Sequence, residues 1–290
     1  MQPFKGHHIP CAEKGEITHI DLWGKYDVTS IKGNQYYLLL IDNATRYMTL
    51  KFLKVKSDAA HEIQSYMSHL QIRGHVMCTI KIDCGTEFLN QPMKTWCDER
   101  GIELHLIAPY SPSQNGVAER MNRTLVELAR AMLTASQLPE FLWEPVVNHA
   151  AYVRNRSYTK VVQNKTPYKG WHNIKPNVSY LREFRLLVWI LLQGQHMQRK
   201  MLPKTTQYYY VGNEDNSQSI IYYNKETRKL NISRNFYFLK DPLENVLNDH
   251  VCEGERPGHI PVDTCEIDSV DNKQLEARPD TYEKEERDTR

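Results

Sequence analysis

Three apolar segments rich in β-branched and aromatic residues, Ile17 to Trp23, Gln35 to Ile41 and Tyr47 to Leu53, follow one another before any helical period begins. With the polar turn Asp42-Asn43-Ala44-Thr45 between the second and third, they read as a three-stranded meander. The period then changes. Ala60, Ile63, Met67 and Leu70 recur at helical spacing within Ser57 to Gln71, with Ser57 as the N-cap. Met77 to Ile82 reads as a fourth strand, Gln91 to Arg100 as a short helix ended by Gly101, and Glu103 to Ile107 as a fifth strand. Strands that alternate with helices pair in parallel, so the pattern predicts an α/β fold with a five-stranded mixed sheet flanked by helices.

The segment Ala108 to Gly116, with Pro109, Pro112 and Asn115-Gly116, reads as a loop. A long helix follows, with Ala118, Met121, Leu125, Leu128 and Met132 as its apolar stripe and Glu119, Arg123, Glu127 and Arg130 on the opposite face. Pro139 opens a further helix to about Arg154. Beyond Trp171 the pattern turns to short strands, Tyr208 to Val211, Ser219 to Asn224 and Leu230 to Phe236, which read as a small β module. The expected divisions are a partial lead-in over 1–14, a catalytic core over 15–172, a connector over 173–204, the β module over 205–240 and an acidic disordered tail over 241–290.

A length of 290 residues accommodates one sizeable α/β domain and one smaller module. The net charge of +2 hides an asymmetry: Leu243 to Arg290 hold 14 acidic and 6 basic residues, a net of −8, which leaves +10 on residues 1–242. A basic body suits a polyanionic partner. The six cysteines contain no C-x-x-C pair, which reads as a reducing, intracellular setting. The longest apolar run, Leu186 to Leu192, falls far short of the roughly 20 residues that cross a bilayer, so no membrane association is expected.

Three carboxylates stand out by position: Asp21 within the first strand, Asp83 at the end of the fourth, and Glu119 in the first turn of the long helix. The first and fourth strands can be neighbours, and the loop can fold the helix start over their ends. A carboxylate trio supplies the oxygen ligands that two hard divalent cations require. Chance and the helix dipole offer a plainer account of such a trio. Against it, Asp21 and Asp83 each sit among apolar strand residues, where an unpaired charge is costly.

The strings ITHIDLWGKY, IDCGTEF and YSPSQNGVAERMNRTLVELARAML closely resemble the integrase core of copia-type long-terminal-repeat retrotransposons, and 35 residues separate Asp83 from Glu119, as in the D,D-35-E signature. The resemblance runs through LPEFLWEPVVNHAAYVRNRS, KTPYKGW, YYNKETRKL and SRNFYF, covering roughly residues 15–240. It implies an RNase H-like fold followed by an SH3-like β module, two Mg²⁺ or Mn²⁺ ions as cofactors, and 3′-end processing and strand transfer of DNA. Asp21, Asp83 and Glu119 match the triad and would be catalytic residues and metal ligands. Partners implied are the element's DNA ends and target duplex, possibly RNA, and further copies of the chain; the chemistry implies the nucleus.

Gln114, Asn115 and Gly116 resemble the family's flexible active-site loop, the alternative being an ordinary Asn-Gly turn. Arg120, Asn122 and Arg123 are candidates for phosphate contacts or a solvated helix face. Glu87 reads as capping the turn after the fourth strand, and Asp42 as a turn residue. Cys84 stands where the family usually has Asn, and Met121 where relatives are often basic. His7, His8 and Cys11 are too few and too close together for the family's zinc module. The chain therefore reads as a piece of a larger polyprotein, with a catalytically inactive, nucleic-acid-binding remnant of a decayed element as the alternative.

Overall fold

The computed structural model describes residues 13–75, 77–83, 91–107, 112–162, 165–191, 204–214 and 218–238. Most of the expected lead-in, including His7, His8 and Cys11, the acidic tail from 241, Cys84 and Glu87 lie outside the described residues.

Strands β1 (Ile17–Trp23), β2 (Tyr36–Asp42) and β3 (Met48–Leu53) form the antiparallel meander. The chain then crosses through helix α1 (Ala59–Ile72) to β4 (Thr79–Asp83), and through α2 (Gln91–Asp98) to β5 (Glu103–Ile107). Both β4 and β5 enter in parallel, giving the order β3-β2-β1-β4-β5. This is the mixed five-stranded sheet flanked by helices that the sequence predicts. Ser57 does not cap α1: it lies within a 3-10 turn, Lys56–Asp58, and Asp58 takes the cap position without a side-chain bond.

Period-2 alternation divides the sheet's side chains between two cores. Ile20, Leu38, Leu40, Ile80 and Ile82 face α1, α2 and Trp171. Tyr37, Leu39 and Ile41 face two long helices, α3 (Pro112–Ser136) and α4 (Trp143–Arg156). Each fully buried Leu or Ile stabilises the fold by about 1.5–3 kcal/mol. On α3 the apolar stripe turns inward, with Ala118 and Leu125 fully buried, while Glu119, Arg123, Glu127 and Arg130 remain exposed. The expected loop is shorter than its turn-forming residues suggested. Helical backbone begins at Pro112, whose fixed φ and missing N–H suit the first helical position.

The 12 residues between β1 and β2 are pinned to α4 by one carboxylate. Glu144, 3% exposed, accepts from Ser30 Oγ at 2.7 Å and Asn34 Nδ2 at 2.9 Å, and pairs with Lys32 at 3.1 Å. These bonds anchor the segment that leads out of β1.

Beyond the short helix α5 (Pro167–His172), a second sheet has the order β10-β6-β7-β8-β9. Its strands are β6 (Leu187–Leu191), β7 (Thr205–Asn213), β8 (Ile220–Asn224), β9 (Lys229–Ser233) and β10 (Phe236–Phe238), paired antiparallel throughout. Two expectations are corrected here. The segment expected as a connector supplies β6, which pairs with both β7 and β10. The single strand expected over Leu230 to Phe236 breaks at Arg234-Asn235 into β9 and β10. A bulge at Gly212, with φ 149°, bends β7, and β7 packs on α4.

Candidate active site

The sheet register places the first two carboxylate positions. β1 and β4 run parallel with Ile20 opposite Ile82, so one residue further along Asp21 and Asp83 come side by side at the same end of neighbouring strands. α3 passes over β1 and β4 from its N-terminal end. Asp21 and Glu119 consequently line one groove of about 350 Å³, with Asn122, Arg123, Glu127 and Arg130 along its α3 wall and Trp23 and Val126 as apolar lining. Its polar wall alternates acid and base down successive turns of one helix. The side chain of Asp83 lies outside the described residues, and among the described residues no three His, Cys, Asp or Glu side chains form a metal-binding group.

A hydrogen-bond chain fixes Asp21. Tyr37 Oη donates to Asn122 Oδ1, which turns the amide nitrogen outward, and Asn122 Nδ2 donates to Asp21 Oδ2 at 2.8 Å. Tyr37 has no exposed surface and Asn122 only 8%, so the bond between them is shielded from water. Burial, and secondarily the negative charge of Asp21, raise the Tyr37 phenol far above its ordinary pKa, so it acts only as a neutral donor. A buried amide held from both ends presents the Asp21 carboxylate in one orientation.

The sequence candidates are distributed as follows. Asp21, Glu119, Asn122 and Arg123 share the groove, and the backbone of Asp83 adjoins that of Asp21. Asn122, expected as a phosphate contact, bonds Asp21 instead. Arg120, one residue from Glu119, does not line the groove and folds back over Gly116. Gln114, Asn115 and Gly116 belong to the first turns of α3; the side chains of Gln114 and Asn115 lie outside the described residues. Sequence reasoning missed Tyr37, a strand aromatic indistinguishable from core by its pattern, and Trp23, Glu127 and Arg130 as groove residues. Of these, only the polar face of α3 gave a signal.

Residues 100–140, which include Glu119 but neither aspartate, match the family model described as Integrase core domain. The chain is 26% identical over 269 residues to the "Retrovirus-related Pol polyprotein from transposon TNT 1-94" of Nicotiana tabacum, covering 92% of this chain and 20% of that protein. It is 27% identical over 250 residues to the Pol polyprotein from transposon RE1 of Arabidopsis thaliana, covering 84% and 17%. The chain thus spans about a fifth of the length of these curated relatives. Among solved structures, the simian T-cell lymphotropic virus intasome in complex with PP2A regulatory subunit B56 gamma aligns at TM-score 0.48 and 15% identity, covering 83% of this chain and 84% of that one. The HTLV-2 integrase catalytic core domain in complex with magnesium aligns at 0.41 and 19%, covering 56% and 99%. Over most of its length this chain is similar to parts of these retrovirus-related Pol polyproteins, and residues 100–140 match the model described as Integrase core domain.

Proposed function

We propose that the chain is the catalytic core of a DNA integrase, a polynucleotidyl transferase that processes 3′ ends and joins element DNA to a target duplex. The observation that carries this reading is that Asp21 and Glu119, brought from positions 98 residues apart, line one groove, with the Asp83 backbone beside Asp21. Asp21, Asp83 and Glu119 would hold Mg²⁺ or Mn²⁺. A pair of such ions, when bound, activates water or a 3′-hydroxyl and offsets charge on the leaving oxygen. The remaining work falls to the protein. Asn122, backed by Tyr37, orients Asp21. Arg123 and Arg130 present guanidinium groups to a phosphate backbone entering the groove. Contacts of this kind position DNA with little sequence preference, and on this reading the enzyme acts on nuclear DNA as a multimer.

The test is a Mn²⁺-dependent disintegration assay, the reverse of strand joining, on the full chain and on Glu119→Gln. The parent is expected to release and reseal the branched duplex, and the variant to bind the same DNA without turning it over. A folded, metal-binding parent that yields no product, or a variant as active as the parent, contradicts the proposal. The first of these results would leave a nucleic-acid-binding remnant.

A further inference from the structure

The sheet face that carries Asp21 continues past the carboxylates into a row of basic residues. The register sets His19 beside Lys81, and Lys81 beside His105, across β1, β4 and β5. His19 and Lys81 each stand two residues before an aspartate and so share its face, about 6.6 Å further down the strand. Arg46 enters from the β2–β3 turn: its Nη1 donates to Asn43 Oδ1 at 3.1 Å, the same oxygen that lies 3.0 Å from His19 Nε2. Arg120 reaches this region from α3, close enough for its charge to act on Arg46; burial is the first cause that lowers the Arg46 pKa, and Arg120 adds to it against Asp42.

Among the described residues these cations are not matched by acids. Asp42, the acid nearest Arg46, is 1% exposed and already accepts from Gly15 N at 2.7 Å, Thr45 N at 2.7 Å and Thr45 Oγ1 at 2.6 Å. Glu103 pairs with His105 at 2.7 Å. Among the described residues neither Lys81 nor Arg120 forms an ion pair. His19 adds no charge, because burial first, and then Lys81 and Arg46, bring its imidazole pKa down to about 4 against the Asn43 bond; its Nδ1 is buried without a partner.

The backbone keeps the cations in place. Arg46 holds φ 59°, a left-handed conformation that a non-glycine residue rarely adopts. At Gly116, an added Cβ would stand 2.5 Å from Arg120 Nη1, so the bare glycine gives the guanidinium its seat. We propose that Arg46, Lys81 and Arg120 form a phosphate-binding site that holds the DNA backbone beside the phosphodiester at the carboxylates. The inference rests on the reading that the groove acts on DNA.

The experiment measures binding of the full chain to a short fluorescent duplex by anisotropy across a salt series. Lys81→Gln, Arg120→Gln and Arg46→Asn are compared with the parent, with Lys81→Arg as the charge-retaining control and the exposed Lys175→Gln as a remote one. Each lost phosphate contact should lower the slope of log K against log salt by about 0.9 and weaken binding alike for unrelated sequences. Lys81→Arg and Lys175→Gln should keep the parent slope. If the Lys81→Gln/Arg120→Gln double variant keeps the parent's slope and affinity, these are solvated surface charges and the proposal falls. The two proposals fail separately: absence of turnover in the parent sinks the enzyme, whereas unchanged salt slopes sink the phosphate site.

Discussion

On one face of the five-stranded sheet, Ile20, Ile80 and Ile82 lie buried beneath α1 and α2; on the other, one residue along the same strands, stand Asp21 and Lys81. The first face is sealed by helices on the far side of β1 and β4. The second is covered by α3, which packs on β1, β2 and β4, and by α4, which packs on β3, with a groove left between Asp21 and the polar face of α3. A side-chain period of two thus lets one strand carry stability and chemistry without compromise between them. Register is the shared constraint, because a one-residue slip exchanges the two faces.

That contrast can be broken most severely at adjacent residues. Ile80→Asp places an unpaired charge on the sealed face and should cost at least about 4 kcal/mol, enough to abolish cooperative urea unfolding. Lys81→Gln, its neighbour on the open face, should change stability by no more than about 0.5 kcal/mol. Similar losses from both substitutions would mean that the two faces are not differently covered. A smaller effect is expected along the chain that orients Asp21. Asn122→Ala should lower Mn²⁺-supported turnover about 10- to 100-fold and raise the Mn²⁺ concentration needed for half-maximal rate, as loss of a residue that orients a metal ligand does. Tyr37→Phe keeps the ring packing and removes one donor worth about 1 kcal/mol, so a roughly fivefold change in the same direction is expected. A Tyr37→Phe effect as large as that of Asn122→Ala would argue for general damage to the core rather than orientation.

The sealed face was the more legible of the two. Runs of β-branched, aromatic and Leu residues located β1, β2 and β3 to within a residue, because strand-forming side chains and burial agree there. The start of α3 was harder to read. Pro112-Ser113-Gln114-Asn115-Gly116 has the composition of a turn, yet a helix tolerates proline in its first turn, and Gly116 serves the seating of Arg120. The apolar run Leu186 to Leu192 was visible, but a run that short fits a strand or a buried turn of helix. Its pairing with β10, some 46 residues later, makes it a strand, and no local pattern reports such a partner. The same distance problem hid Tyr37, whose bond to Asn122 spans 85 residues. Asp21 and Glu119 were singled out by their place in a strand and at a helix start and by the family resemblance, and the structure brings both into one groove. The groups that orient them are ordinary core residues until the fold brings them together.

Whether Asp21, Asp83 and Glu119 gather around divalent metal can be read from anomalous diffraction of Mn²⁺-soaked crystals of the chain. Two anomalous peaks about 3.5–4 Å apart, bounded by the carboxylates of Asp21, Asp83 and Glu119, are expected. Peaks confined to other acidic sites, with the groove between β1 and α3 empty, would contradict this arrangement.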